Sequence, residues 1–248
     1  MKLHLLLSLL LLLACQANSQ NRIHINIPTA EAETEYIWQN IRDIQFFEQH
    51  GYQLSLPQGP LMEELKQKAK ASRLSDEDYA RLKRFVAEKV YRKADYQTGF
   101  DKIHQQLELI NKMVNQLKPA EFPWGFASFE TYQVNLTLYG PGGSYNPDEG
   151  SILLYTTPDG RFKNYDNPAN TIIHEIVHIG IEADIIGQYN VPHPLKERIV
   201  DTFVSLYFGQ DLPDYRIQNM GETRSDQYLK KKDDVKKLEQ IVQGILKE

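Results

Sequence analysis

One pentapeptide constrains this chain more than any other stretch: His174-Glu175-Ile176-Val177-His178, set between Ile172 and Ile173 on one side and Ile179 and Ile181 on the other. On an α-helix, residues four apart stand one turn above another on the same face. His174 and His178 can then point both imidazoles at one ion, the arrangement in which Zn²⁺ takes two nitrogen ligands. Glu175 lies one position round, close enough to meet a water on that ion and too far round to be an obvious ligand. The segment is therefore expected to be a helix with a metal on one face.

A second helix supports the first. Pro168 to about Ile186, closed by Gly187, reads as one helix; Pro194 to about Phe208, closed by Gly209, reads as another. Only Gly187 to His193 joins them, so they are expected to pair antiparallel. Glu197 and Asp201 are again four apart. If Glu197 lies level with His178, Asp201 lies level with His174. Glu197 can then supply a third ligand, and Asp201 can accept the free ring N–H of His174 and fix its tautomer. Asp184 and His193 are the alternative third ligands. Glu182 lies about 12 Å along the same helix from His174, too far to converge. Without a metal, the two histidines would simply hydrogen-bond to Glu197 and Asp201.

His174-Glu175-x-x-His178 followed by Glu197-x-x-x-Asp201 resembles the zinc site of the gluzincin metallopeptidases, the thermolysin-like zincins. The resemblance covers these two helices and implies one Zn²⁺ per chain on His174, His178 and Glu197. It further implies Glu175 as general base, Asp201 orienting His174, and a peptide or protein as substrate. A His or Tyr that stabilises the transition state is also implied; His193 and Tyr189 are candidates, with Tyr207, Tyr215 and Arg216. Asp184 and Met220 would suit the metzincin pattern, but that pattern needs a helix-breaking glycine where this chain has Ile181.

The N-terminus carries a different message. Lys2, a leucine-rich run from Leu5 to Leu13 and then Ala14-Cys15 follow the charge, apolar, small order of a secretory signal, and the run is too short to span a bilayer. Leu12-Leu13-Ala14-Cys15 resembles the bacterial lipobox, which implies lipidation of Cys15 and an exported, membrane-anchored envelope lipoprotein. Cleavage near Ala17 to Ser19, giving a secreted or periplasmic protein, is the alternative. Cys15 is the one cysteine, so an internal disulfide is excluded. No long basic stripe accompanies the net charge of -5, which argues against nucleic acid.

Between these ends, residues 16–27 read as a tether. Residues 28–118 read as a helical part: Thr29 to about Gln49, Pro60 to about Ser72, a Ser75/Asp78 capping box opening a helix to about Ala94, and Thr98/Asp101 opening another to Leu117. His50 and His104 read there as ordinary histidines. Residues 119–248 form the expected zincin-like part, with strands at Tyr132 to Tyr139 and Ser151 to Thr157 and a final helix from Ser225 to Leu246. The strand at Ser151 to Thr157 is either an edge for an extended substrate or one arm of a hairpin. The expected fold is α+β and mostly helical, with a small sheet packed on the motif helix and no flexible linker between the parts. The expected function is a zinc peptidase. The alternative is a non-catalytic envelope lipoprotein that binds a partner through the same scaffold.

Overall fold

A computed structural model describes residues 21–163, 166–219 and 222–248. The signal, Cys15 and Met220 lie outside the described residues. Helices dominate, with a small four-stranded mixed sheet, so the fold is α+β and mostly helical.

The sheet is built from β1 (Ile23–Asn26), β2 (Tyr132–Thr137), β3 (Gly143–Asn146) and β4 (Ser151–Tyr155), in the order β1-β2-β4-β3. β1 pairs parallel with β2, β2 parallel with β4, and β3 antiparallel with β4. Two expectations change here. Ile23 to Asn26, read as tether, is a strand, and Ile23 is buried in the core. The segment beginning at Ser151 is not a sheet edge, because it runs parallel to β2 on one side and pairs with β3 on the other; it is one arm of a hairpin, with β3 as the other arm. The edge beyond it is β3, in a stretch whose glycines suggest a break.

The helices frame this sheet. α1 (Ala30–Arg42), α2 (Ile44–Gln49), α3 (Pro60–Lys70) and α4 (Asp76–Phe85) come first; Thr29 caps α1, and Ser75 with Asp78 forms the expected capping box on α4. α5 (Gln97–Gln105) and α6 (Leu107–Gln116) replace the single helix expected from Thr98. Thr98 caps nothing there, since a 3₁₀ turn at Lys93–Tyr96 leads into α5. The chain breaks at Gln106, whose side-chain carbonyl accepts from the Ala169 N–H at the start of the motif helix. That helix is α7 (Pro168–Ile181), opened by Asn167 and continued by a π turn at Glu182–Gly187.

α7 is rich in apolar residues on every side and buried almost all round, as a helix of the interior is. Its β-branched residues are weak helix formers, so burial rather than propensity holds it. Ile172, Ile173, Ile176, Val177, Ile179 and Ile181 are all fully buried. Around it pack β3 and β4, α5 and α6, and α8 (His193–Phe208). Gly180 admits the Phe126 ring where a Cβ would overlap it, and its carbonyl accepts from Ala127 N–H at 2.9 Å. The C-terminal segment is two 3₁₀ turns and α9 (Leu238–Ile245) instead of one long helix. The Asp234 carboxylate accepts from Lys230 and Lys231 N–H, starting a new turn inside the expected one.

Apolar residues from both sides of Lys118 pack together. Tyr96, Ile103, Ile110, Met113 and Val114 share one apolar cluster with α7, α8 and the sheet. A second cluster (Ile37, Ile41, Met62, Leu65, Leu82, Val86) lies among α1, α3 and α4, and Tyr139 packs against both. Among the described residues no helix is long and apolar enough to cross a membrane.

Candidate metal centre

α7 and α8 lie side by side in the antiparallel register expected from their spacings. Glu197 Oε2 stands 3.5 Å from His178 Nε2 and 3.6 Å from His174 Nε2. Asp201 Oδ1 stands 3.3 Å from His174 Nδ1. The two Nε2 atoms are 3.0 Å apart. An ion bonded at ~2.0–2.1 Å in a tetrahedral site spaces its ligand atoms roughly 3.3–3.4 Å apart. The observed triangle straddles that value, and His174, His178 and Glu197 together can hold a metal ion.

The two histidines are supported differently. Tyr215 O–H donates to Asp201 Oδ1 at 2.6 Å, so its oxygen accepts the Nδ1–H of His174 at 2.7 Å. Asp201 Oδ2 accepts from Gln218 N–H at 2.7 Å, which ties the 215–218 loop to α8. That chain keeps one proton on Nδ1, so that in the neutral ring the Nε2 lone pair faces His178 and Glu197. Asp201 thus reaches His174 both directly and through Tyr215. His178 has no such backing, because its Nδ1 is buried without a hydrogen-bond partner among the described residues. Its ring is instead held flat against Tyr145, with centroids 4.7 Å apart and planes 11° from parallel. Tyr145 O–H donates to Glu182 at 2.6 Å and accepts from Lys196 Nζ at 3.0 Å.

Because the Asp201 carboxylate fixes His174 from behind, Asp201→Asn is expected to weaken metal binding by about 10–100-fold while the protein stays folded. Titration against a competing chelator measures this, and an unchanged affinity would remove Asp201 from the site.

Three ligands this close need a positive charge between them. Without an ion a proton serves. Burial opposes charge on His174, but its hydrogen bonds to the Asp201 and Glu197 carboxylates outweigh it and push its pKa up to about 10. Burial and the charged His174 hold His178 down at about 4. Burial also opposes charge on Glu197, yet the two histidines hold its carboxyl far below the carboxylate range. A metal needs both imidazoles neutral, so binding must expel the His174 proton. At pH 7–8, metal uptake is expected to release about one proton per chain, and the release should fade above pH ~10. Calorimetry in buffers of differing ionisation enthalpy reads it; no release at pH 7 would contradict this charge state.

Glu175 is buried beside the cluster, and burial pushes its carboxyl up to about 7. A Cβ on Gly143 would overlap its carboxylate, so Gly143 lets the β3 backbone approach this group directly. The cluster opens into a cleft of about 740 Å³. β3 and the preceding loop (Gly142 to Tyr145) form one wall, and the N-terminal helices form the other with Phe46, Phe47 and Tyr52.

The remaining sequence candidates separate cleanly. His193 lines the cleft, with Nδ1 3.5 Å from Glu197 Oε1 and Nε2 2.9 Å from the Tyr52 hydroxyl. It stands on the rim and is not a member of the three-ligand group. Tyr189 faces away, donating to Glu239 at 2.6 Å, because the turn after α7 packs it on α9. Tyr207 is stacked on Phe203 in the core. The Asp184 carboxylate lies against Gly125, not among the ligands. Tyr52, Tyr145 and Lys196 were not singled out from the sequence. Lys196 alone had a signal, since it precedes a proposed ligand on the same helix. No protein-family model, curated protein or solved structure matches this chain, and the chemistry of the cleft rests on its own residues.

Proposed function

We propose that this protein is a zinc-dependent peptidase that hydrolyses a peptide bond with water, using Glu175 as general base. The observation that carries the reading is the convergence of His174 Nε2, His178 Nε2 and Glu197 Oε2 on one point, with the Glu175 carboxylate beside it. Two imidazoles and one carboxylate, with room for a further ligand from the cleft, are the donor set of a catalytic zinc site. When bound, such an ion polarises a carbonyl and makes water at its open position a stronger acid.

The chain's own groups supply the rest. Glu175 accepts a proton from the attacking water and delivers it to the leaving nitrogen, and its raised pKa suits both transfers near neutral pH. Among the described residues the outer edge of β3 has no partner strand, so an extended peptide can pair with it and bring one carbonyl past Gly143 to Glu175. His193, on the rim of the cleft with Tyr52 on its Nε2, would donate to the oxygen that becomes negative as water adds. The lipobox-like sequence ending at Cys15 supports an exported, lipid-anchored form.

A peptide library read by mass spectrometry tests the reading. Cleavage is expected with the purified protein, loss with a chelator, and return on adding Zn²⁺. Cleavage that persists without metal would overturn the zinc mechanism.

A further inference from the structure

A second cavity opens beyond the Gly142 end of β3. Its volume is about 450 Å³, and it adjoins the main cleft, since Gln53 and Lys163 line both. The main cleft presents carboxylates, among them Asp43, Glu175 and Glu197. Among the described residues the second cavity presents Arg161 and Lys163 and no carboxylate, in a chain whose net charge is -5.

Lys163 is the informative residue. Its side chain is half-buried, and Nζ donates to the carbonyls of Gln53, at 2.9 Å, and Pro141. Among the described residues no carboxylate lies within ion-pair distance of it, whereas Arg161 already pairs with Asp159 at 2.8 Å. Burial accordingly lowers the pKa of Lys163. An ammonium group withdrawn from water onto two neutral carbonyls is poorly compensated, and an arriving anion would complete its shell. Its position is also defined. A Cβ on Gly142 would sit 3.5 Å from Lys163 Cδ, and Gly142 directly precedes the glycine that faces Glu175. One residue along a strand is about 3.3 Å, so an anion at Lys163 lies within a residue or two of the bond presented to Glu175.

We propose that the cleft selects peptides carrying a carboxylate close to the scissile bond, held by Lys163 in the basic cavity beyond Gly142. The proposal rests on the peptidase reading and names the substrate class of that site. The carboxylate can be the peptide's C-terminus or an Asp or Glu side chain.

Matched peptides separate these sources: free acid against C-terminal amide, and Glu against Gln at each position around a cleaved bond. Hydrolysis is measured with the wild type, Lys163→Met and Lys163→Arg. Binding of the same pairs is measured by calorimetry on Glu175→Gln protein, with and without Lys163→Met. The expected result is a preference of about tenfold or more for the charged member of one pair. It should fall to about threefold or less in Lys163→Met and be partly restored in Lys163→Arg. Preference in the first pair identifies the C-terminal carboxylate, and in the second an acidic side chain. Cleavage with no charge preference, or a preference that survives Lys163→Met, would overturn the proposal and leave the peptidase reading intact. Charge-selective binding that depends on Lys163, without hydrolysis of any peptide, would keep the basic site and remove the peptidase reading. Neither binding preference nor hydrolysis would remove both.

Discussion

Glu175→Gln is expected to leave zinc bound at the wild-type level and to lower peptide hydrolysis by about 10²–10⁴-fold. The substitution keeps the shape of the side chain and removes its capacity to take a proton. Glu175 is not one of the three converging ligands, so the metal loses nothing directly. The fold should tolerate the change, because burial already disfavours the charged carboxylate and a neutral amide of equal size relieves that cost. Metal content, thermal unfolding and kcat/KM on one cleaved peptide form the test. Equal hydrolysis by the variant would end the case for Glu175 as base. Loss of metal together with activity would show that Glu175 belongs to the site in another way.

Glu197→Ala has the second large effect, on the metal itself. Removing the carboxylate leaves two nitrogens to hold the ion and deprives the pocket of the negative charge that balances it. The expected loss of affinity exceeds the ~10–100-fold typical of groups behind a ligand, so Glu197→Ala should bind zinc more weakly than Asp201→Asn. The ordering is informative because both residues lie on α8, one turn apart, and each reaches His174. If Asp201→Asn proved the weaker binder, the third ligand would have to be reassigned. Loss of a buried carboxylate facing two histidines also destabilises the metal-free protein, so circular dichroism should accompany each titration.

Much of this site could be read from local spacing. The i, i+4 pairs on α7 and α8 and the short connection between them suffice to set Glu197 opposite His178 and Asp201 opposite His174, because helical periodicity and an antiparallel turn are both local rules. Tyr215 could not be placed that way. It reaches His174 from a loop, and nothing periodic announces where a loop returns. His193 against Tyr189 was likewise open from sequence: both flank the connecting turn, and only packing on α9 turns Tyr189 away.

The sheet was harder for a related reason. β1 is four residues long and pairs with β2 across more than a hundred positions, so no neighbouring pattern marks it. β3 contains the glycine that a close approach to Glu175 requires, and that glycine disguises a strand as a turn. Here the close packing against Glu175 hid the strand that makes it. The helices that broke did so through side chains acting at a distance or across a turn. Gln106 leaves its own helix to cap α7, and Asp234 starts a fresh turn within the last one. The wall of the cleft opposite β3 comes from the N-terminal helices, which no spacing rule connects to a metal motif.

The most direct test of the central claim is zinc binding itself, by titration of the metal-free protein followed by X-ray absorption at the zinc edge. One high-affinity site per chain is expected, with a shell of nitrogen and oxygen at ~2.0–2.2 Å and with binding abolished or severely weakened in both His174→Ala and Glu197→Ala. A folded wild type that takes up no zinc, or variants that bind it as tightly as the wild type, would contradict the assignment of His174, His178 and Glu197 as a metal centre.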